Sequence, residues 1–426
     1  MRKCMRSLLL IVFVFALAGC SSGSKTGSPA PGTSTPSGSA ETIVLEFPSW
    51  QAEEPGFSQW WKELISQFEQ EHPNVRINFT SIPFKGYVDT LITMFAADDP
   101  PDIVHLPSAS LLQFANNDWL EPLDEILKET DVPQTWTSLQ SNMVLDGKTQ
   151  GLLLLGYGFN LYYNEKMLND AGVAVPTTPE ELLGAAETLT KDGVYGFGST
   201  TVEMDNVFNE VSMFIVGEGN PWIKDGKYNL TDEKVVEAVE QYRKLLKMSP
   251  QGVSVEQKRQ LFFDGKIAMI IDGPFIYGQA TSDQSAAGPY IRIAPAPFPH
   301  IPGSVSNNLS IAKSIDPDKK RMVGEFIKLA ASPEWQAKYA EYTNSPVPRA
   351  GVISEEYLKE HPEMGVFAES AKNAVSIIPD SINVRTNFNQ FSKTVQTAMM
   401  ELMVTDTPTA DVLRKLEDQL GKIVTP

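Results

Sequence analysis

Cysteine is nearly absent from this 426-residue chain, occurring only at positions 4 and 20. Cys4 falls in a segment that reads as removable, so disulfide frameworks and cysteine-based metal sites are excluded from what remains. Histidine is almost as scarce. Of the four, His72 and His361 precede prolines, His300 follows one and His105 stands alone in an apolar run, so none has metal-ligand spacing. Positive charge is also in deficit: 35 Lys and Arg face 53 Asp and Glu, for a formal net charge of -18. Nucleic acid or an anionic membrane surface must be met by concentrated basic residues, so neither is an expected partner. Acidic pairs such as Glu53-Glu54 and Asp98-Asp99 follow from this abundance and do not mark a glycoside hydrolase. The Asp-Gly-Lys-Thr at 146 has Asn142 where a phosphate loop requires glycine, and no Ser-Asp-Asn accompanies the Ser-x-x-Lys at Ser22 or Ser310. The expectation is a binding protein, not an enzyme, without cofactor or metal.

What is present begins at the N-terminus. Arg2, Lys3 and Arg6 precede the apolar run Leu8 to Leu17, the layout of a secretory signal peptide and too short for a permanent membrane span. Loss of those three bases takes the net charge from -18 to -21. Leu17-Ala18-Gly19-Cys20 resembles the bacterial lipobox, which implies cleavage after residue 19 and a lipid on Cys20. Between Ser21 and Ala40, seventeen of twenty residues are Ser, Gly, Thr or Pro, the composition of a flexible tether. The protein is therefore expected outside the cytoplasm, anchored to the membrane through Cys20, with a Gram-positive host favoured.

The body from residue 41 is long for a single core and is expected to divide into two lobes. Trp60, Leu64 and Phe68 recur at helical spacing, whereas Val75, Ile77 and Phe79 alternate with Arg76, Asn78 and Thr80 as in a half-exposed strand. With helical spacing again over "GYVDTLITMFAA" and a strand in "PPDIVHL", the order is β-α-β-α-β, the signature of an α/β sheet. Helix starts are marked by Asn164, by Thr178-Pro179 with Glu181, and by Ser254 with Gln257. Three Asp-Gly-Lys triplets, at 146, 225 and 264, read as turns.

The segments "AADDPPDIVHL", "DWLEPLDEIL", "DGKTQGLLLL", "LYYNEKMLNDAGVAVPTTPEELLGAAETLT", "FFDGKIAMIIDGPFIYG" and "LSIAK" occur in this order over nearly the whole mature chain. Together they resemble bacterial extracellular solute-binding proteins of family 1, the maltose-binding-protein-like group that serves carbohydrate ABC importers. The sequence departs from that pattern at Leu153, Phe275 and Asn307-Asn308, all near the expected cleft. The resemblance implies a two-lobed periplasmic-binding-protein-like fold with hinge crossings and a ligand cleft between the lobes. It places lobe 1 at 41–153 plus 305–346 and lobe 2 at 154–304 plus 347–426. It also implies a carbohydrate ligand, permease subunits as partners and a monomer.

Open α/β sheets bind ligands beyond the carboxyl ends of their strands. Those positions hold Trp50, Gln51, Ser108, Tyr157, Asp272, Gly273, Phe275 and Tyr277. A sugar offers apolar ring faces and a rim of hydroxyls, so Trp50, Tyr157 and Phe275 are candidate platforms. Gln51, Ser108, Asp272, the Gly273 amide and Asn307 are candidate hydrogen-bond partners. Asp272 has a second reading, as the cap of a helix starting at Pro274. Trp222, in a glycine-rich loop, is a candidate lid or site residue. Arg349 and Arg385 either reach the ligand or pin the hinge. The alternatives to an oligosaccharide are a glycerophosphodiester, a peptide or a sugar acid on the same fold, and less favoured a secreted glycosidase or a polysaccharide adhesin.

Overall fold

In the computed structural model, residues Thr42–Pro426 are described and form one compact unit. The expectations for the signal peptide, for lipidation of Cys20 and for the tether lie outside the described residues.

The alternation at 75–80 appears directly in burial: Val75 and Ile77 are buried, while Arg76, Asn78 and Thr80 face solvent. Strand Val75–Ser81 pairs in parallel with Ile43–Ser49, and helix Phe57–Glu71 makes the crossover between them. That helix buries Trp60, Trp61, Leu64, Ile65 and Phe68 along one stripe, against Phe47 and Phe326. The strand pair meets the next strand, Ile103–Pro107, through Asp102. Its backbone N–H donates to the Glu46 carbonyl at 3.1 Å while its carboxylate accepts from the Glu46 N–H at 2.8 Å.

Two main sheets organise the rest. The 12-residue strand Ile301–Ala312 runs antiparallel to Ile103–Pro107, Leu120–Glu121 and Leu152–Gly158 and parallel to Ala374–Ser376. The second sheet has the order Ile291–Pro295, Asn160–Asn164, Ile267–Asp272, Tyr195–Phe197. Helices cover both, so the architecture is two α/β lobes. Strand Leu152–Gly158 passes through Phe159 straight into Asn160–Asn164, and the chain returns from Ile291–Pro295 into Ile301–Ala312. The two crossing strands lie side by side, and their register slips twice, leaving Ser306 unpaired on one and Leu154 on the other. Paired bulges bend and twist a ladder locally, and these fall within the five-stranded sheet, on the two strands that lead to and from the second sheet.

The helix starts follow the sequence with one difference. Ser254 and Gln257 form a reciprocal capping box, and Asn164 accepts from the Met167 N–H at 3.2 Å. Thr178 accepts from the Glu181 N–H, but the Glu181 carboxylate reaches Thr177 rather than Thr178. Two Asp-Gly-Lys triplets turn tight hairpins, Asp146-Gly147 and Asp225-Gly226, each with positive φ at both residues. The third follows helix Val255–Phe263.

Candidate ligand cleft

Between the two sheets lie two adjoining cavities, of about 630 and 340 Å³. Asn142, Ile378 and Arg385 border both, so they form one trough. The smaller has Ser108 and Leu112 on the side of the five-stranded sheet, and Tyr157 with Ser304–Ser306 from the crossing strands. Asp205, Phe208 and Asn209 from helix Asp205–Gly217, and Phe388, Asn389 and Ser392 from helix Phe388–Val404, close the other side. The larger cavity is bordered by Asn220, Trp222, His300 and the segment Val375–Asp380. An aromatic wall joins the two: Trp222 stacks on Phe208 at 5.6 Å, and Phe388 meets Phe208 edge-on at 5.0 Å. Arg385, half-buried, donates to the Asn142 carbonyl, and among the described residues it makes no ion pair.

The structure thus brings Ser108, Tyr157, Trp222 and Arg385 to one trough. Phe275 sits beside it: its ring meets Tyr157 edge-on at 5.6 Å, has the Arg259 guanidinium 5.2 Å from its centroid, and remains 49% exposed. It lies so close over Gly273 that a Cβ there would come within 2.3 Å of the ring. Burial, with Asp272 nearby, pushes the Tyr157 phenol up to about 12, so it is a neutral hydroxyl at physiological pH.

A second group of candidates converges on a histidine. His105 lies under Trp50, the rings stacked at 4.0 Å and 5°. Its Nδ1 meets Ser49 Oγ at 2.9 Å and its Nε2 meets Asn307 Oδ1 at 3.3 Å. This set fits a neutral ring with its proton on Nε2, and burial holds the pKa down at about 3 despite the Asn307 bond. Gln51 is buried with its Oε1 accepting from Trp61 Nε1–H at 3.0 Å. Tyr87 closes the group from below, its hydroxyl donating to the Pro48 and His105 carbonyls.

Asp272 anchors an ionic group instead. Arg259 grips it with two bonds of 2.8 Å, and Lys258 Nζ stands 3.7 Å from it and 3.1 Å from Glu210, itself bonded to Thr200 and Tyr242. Burial pushes the Asp272 carboxyl up, but Lys258 and Arg259 outweigh it and leave its pKa below the ordinary value. The only helical cap contact it makes is with the adjacent Gly273 N–H at 2.9 Å; no side chain caps the turn at Pro274. Arg349 pairs with Asp131 and lies over Trp136, away from both cavities. Tyr277 packs edge-on against Phe367.

Asn142, Asp205, Phe208, Asn209, Phe388 and Asn389 escaped the sequence reading because they sit at helix starts and turns rather than strand ends. Their signal is local: Asp205, Phe208 and Asn209 fall at i, i+3 and i+4, one face of a helix whose other positions are largely apolar.

The profile of the bacterial extracellular solute-binding proteins matches residues 51–337. The diacetylchitobiose binding protein DasA of Streptomyces coelicolor is 24% identical over 99% of this chain and 98% of its own. The GacH receptor of Streptomyces glaucescens, whose structures include complexes with acarbose and an acarbose homolog, superposes with a TM-score of 0.72 at 20% identity, covering 90% of this chain and 98% of that one. UgpB from Mycobacterium tuberculosis in complex with glycerophosphocholine gives 0.74 at 17% identity, covering 90% and 98%.

Proposed function

The chain belongs to the bacterial extracellular solute-binding proteins, and on that premise we propose that it captures an oligosaccharide between its lobes and delivers it to an ABC permease. The observation that carries this reading is the trough itself: an aromatic wall of Trp222, Phe208 and Phe388 shares with Ser108, Asn142 and Ser304 the lining of two adjoining cavities of about 630 and 340 Å³. Stacking surfaces beside short groups that both donate and accept are what a hydroxyl-rimmed ring requires. The names of DasA and GacH, which carry sugar or sugar-like ligands, support the same class.

Closure is a population shift. The lobes, divided as 41–153 plus 305–346 and 154–304 plus 347–426, rotate about the bulges at Ser306 and Leu154. Ligand favours the closed form by the contacts it makes only there. Permease subunits then read both lobes in register, and a lipid on Cys20 keeps the monomeric receptor at the outer face of the membrane. Calorimetric titration with one sugar series of increasing length tests the enclosed trough. Affinity levels off after a few units; affinity that keeps rising would mark a surface adhesin. Arg385, which makes no ion pair among the described residues although Asp380 borders the same cavity, favours the second reading of a glycerophosphodiester or sugar acid. For such ligands the affinity falls steeply with added salt.

A further inference from the structure

Three residues border both cavities, Asn142, Ile378 and Arg385, and they belong to one hydrogen-bonded group. Arg385, on the short helix Ile382–Thr386, donates to the Asn142 carbonyl. The Asn142 side chain is held in turn. Its Oδ1 accepts from Ser376 Oγ at 3.0 Å, and its Nδ2 donates to the Leu139 carbonyl at 3.0 Å. Ser376 Oγ also accepts from the Ile378 N–H at 3.2 Å. The boundary between the two chambers is thus a connected set of bonds, which holds its members more firmly than isolated contacts would. In the lobe division given above, Asn142 lies in lobe 1 and Arg385 in lobe 2, so the bond that completes the set is made across the cleft.

We propose, resting on the carbohydrate reading above, that Arg385 is a partition that sets the length of sugar the trough encloses. The smaller chamber, about 340 Å³, lies near the lower end of the roughly 300–1,000 Å³ usual for small-molecule sites, and the two chambers together approach the upper end. A short sugar fits on one side with the bond from Arg385 to Asn142 made. A longer one has to pass through the place of the guanidinium. It breaks that bond and leaves the carbonyl of Asn142, a residue only 9% exposed, without this donor. Selection by length then comes from what the long ligand disrupts, with no loss of contacts to the short one. An arginine that instead anchored an acidic ligand would, when removed, weaken short and long members of a series alike.

The test is calorimetric titration of the purified protein and of Arg385→Ala with malto-, cello- and galacto-oligosaccharides of increasing length. In the unaltered protein the affinity for the series that binds levels off at a fixed length. In Arg385→Ala the levelling point moves to a longer member, and the ratio of long-chain to short-chain affinity rises about tenfold. Ser376→Ala, which keeps Arg385 and frees the Asn142 side chain, raises the same ratio by a smaller factor. An unchanged levelling point and ratio in Arg385→Ala overturns the partition. An equal loss at every length also overturns it, by making Arg385 a direct anchor, and both results leave the carbohydrate receptor standing. Binding of no member of any series by the unaltered protein removes the receptor reading itself, and this inference with it.

Discussion

The two sides of the cleft are held in shape by opposite means. On the side of the five-stranded sheet a neutral histidine, His105, fixes Trp50 by stacking and Asn307 and Ser49 by hydrogen bonds. Across the hinge, Asp272 is fixed by Lys258 and Arg259, two cations beside one buried carboxylate. Both arrangements engage residues that a strand-end argument assigns to the ligand. The difference is that one network exists only while its central group is uncharged, and the other only while its groups are charged.

The largest effect is expected from breaking the ionic side. Asp272→Ala leaves Arg259 without its carboxylate and Lys258 with Glu210 alone, and should cost about 3–5 kcal/mol of unfolding free energy, read from the denaturant midpoint. A loss below about 1 kcal/mol would show that water reaches the cluster and would erase the contrast.

Acid distinguishes the two sides. The His105 pKa is lower in the folded chain, about 3, than the ordinary histidine value of 6.5. The unfolded chain therefore takes up the proton first, and stability present above pH 6.5 is lost as the pH falls toward the folded value. For Asp272 the folded pKa lies below the ordinary carboxylate value, so its contribution is lost only at still lower pH. Between pH 6.5 and 4.5 the neutral side weakens alone, by about 2–3 kcal/mol at the linkage limit of 1.4 per pH unit. His105→Gln should flatten the melting temperature over that window; an unchanged slope would place the acid sensitivity elsewhere.

The smallest structural effect belongs to the platform between the two sides. Phe275→Ala should weaken ligand binding by about 1–3 kcal/mol, the worth of a lost aromatic contact, while the half-exposed ring contributes little to folding. Affinity unchanged in this variant and in Trp50→Ala would place the ligand entirely within the Arg385 trough.

Much of the fold was legible because its signals are local. Ser254 with Gln257, the Asp-Gly turns and the alternation from Val75 act within a few residues, where backbone geometry alone decides the outcome. The 12-residue strand Ile301–Ala312 shows a strand pattern in sequence only in its second half, "NLSIA", since Pro302, Gly303 and small polar residues dilute its first. Its pairing with Leu152–Gly158 explains how such a segment forms a strand: the long-range ladder outweighs weak propensity. The candidate site was legible to a lesser degree. Strand ends located Ser108 and Tyr157, but nothing local tells that Asp272 is spoken for by Arg259, thirteen residues earlier, or Gln51 by Trp61. His105 looked inert in sequence because its partners, Ser49 and Asn307, lie 56 and 202 residues away.

The central claim, that a sugar occupies the trough between the lobes, is tested most directly by thermal unfolding of the purified protein against mono- and oligosaccharides. A ligand bound only by the folded state stabilises it by about 2.7 kcal/mol at a hundredfold excess over its dissociation constant. The account predicts a rise in melting temperature with one family of oligosaccharides, and a smaller rise in Phe275→Ala. No rise with any sugar, together with a rise for a glycerophosphodiester or a peptide, would contradict it.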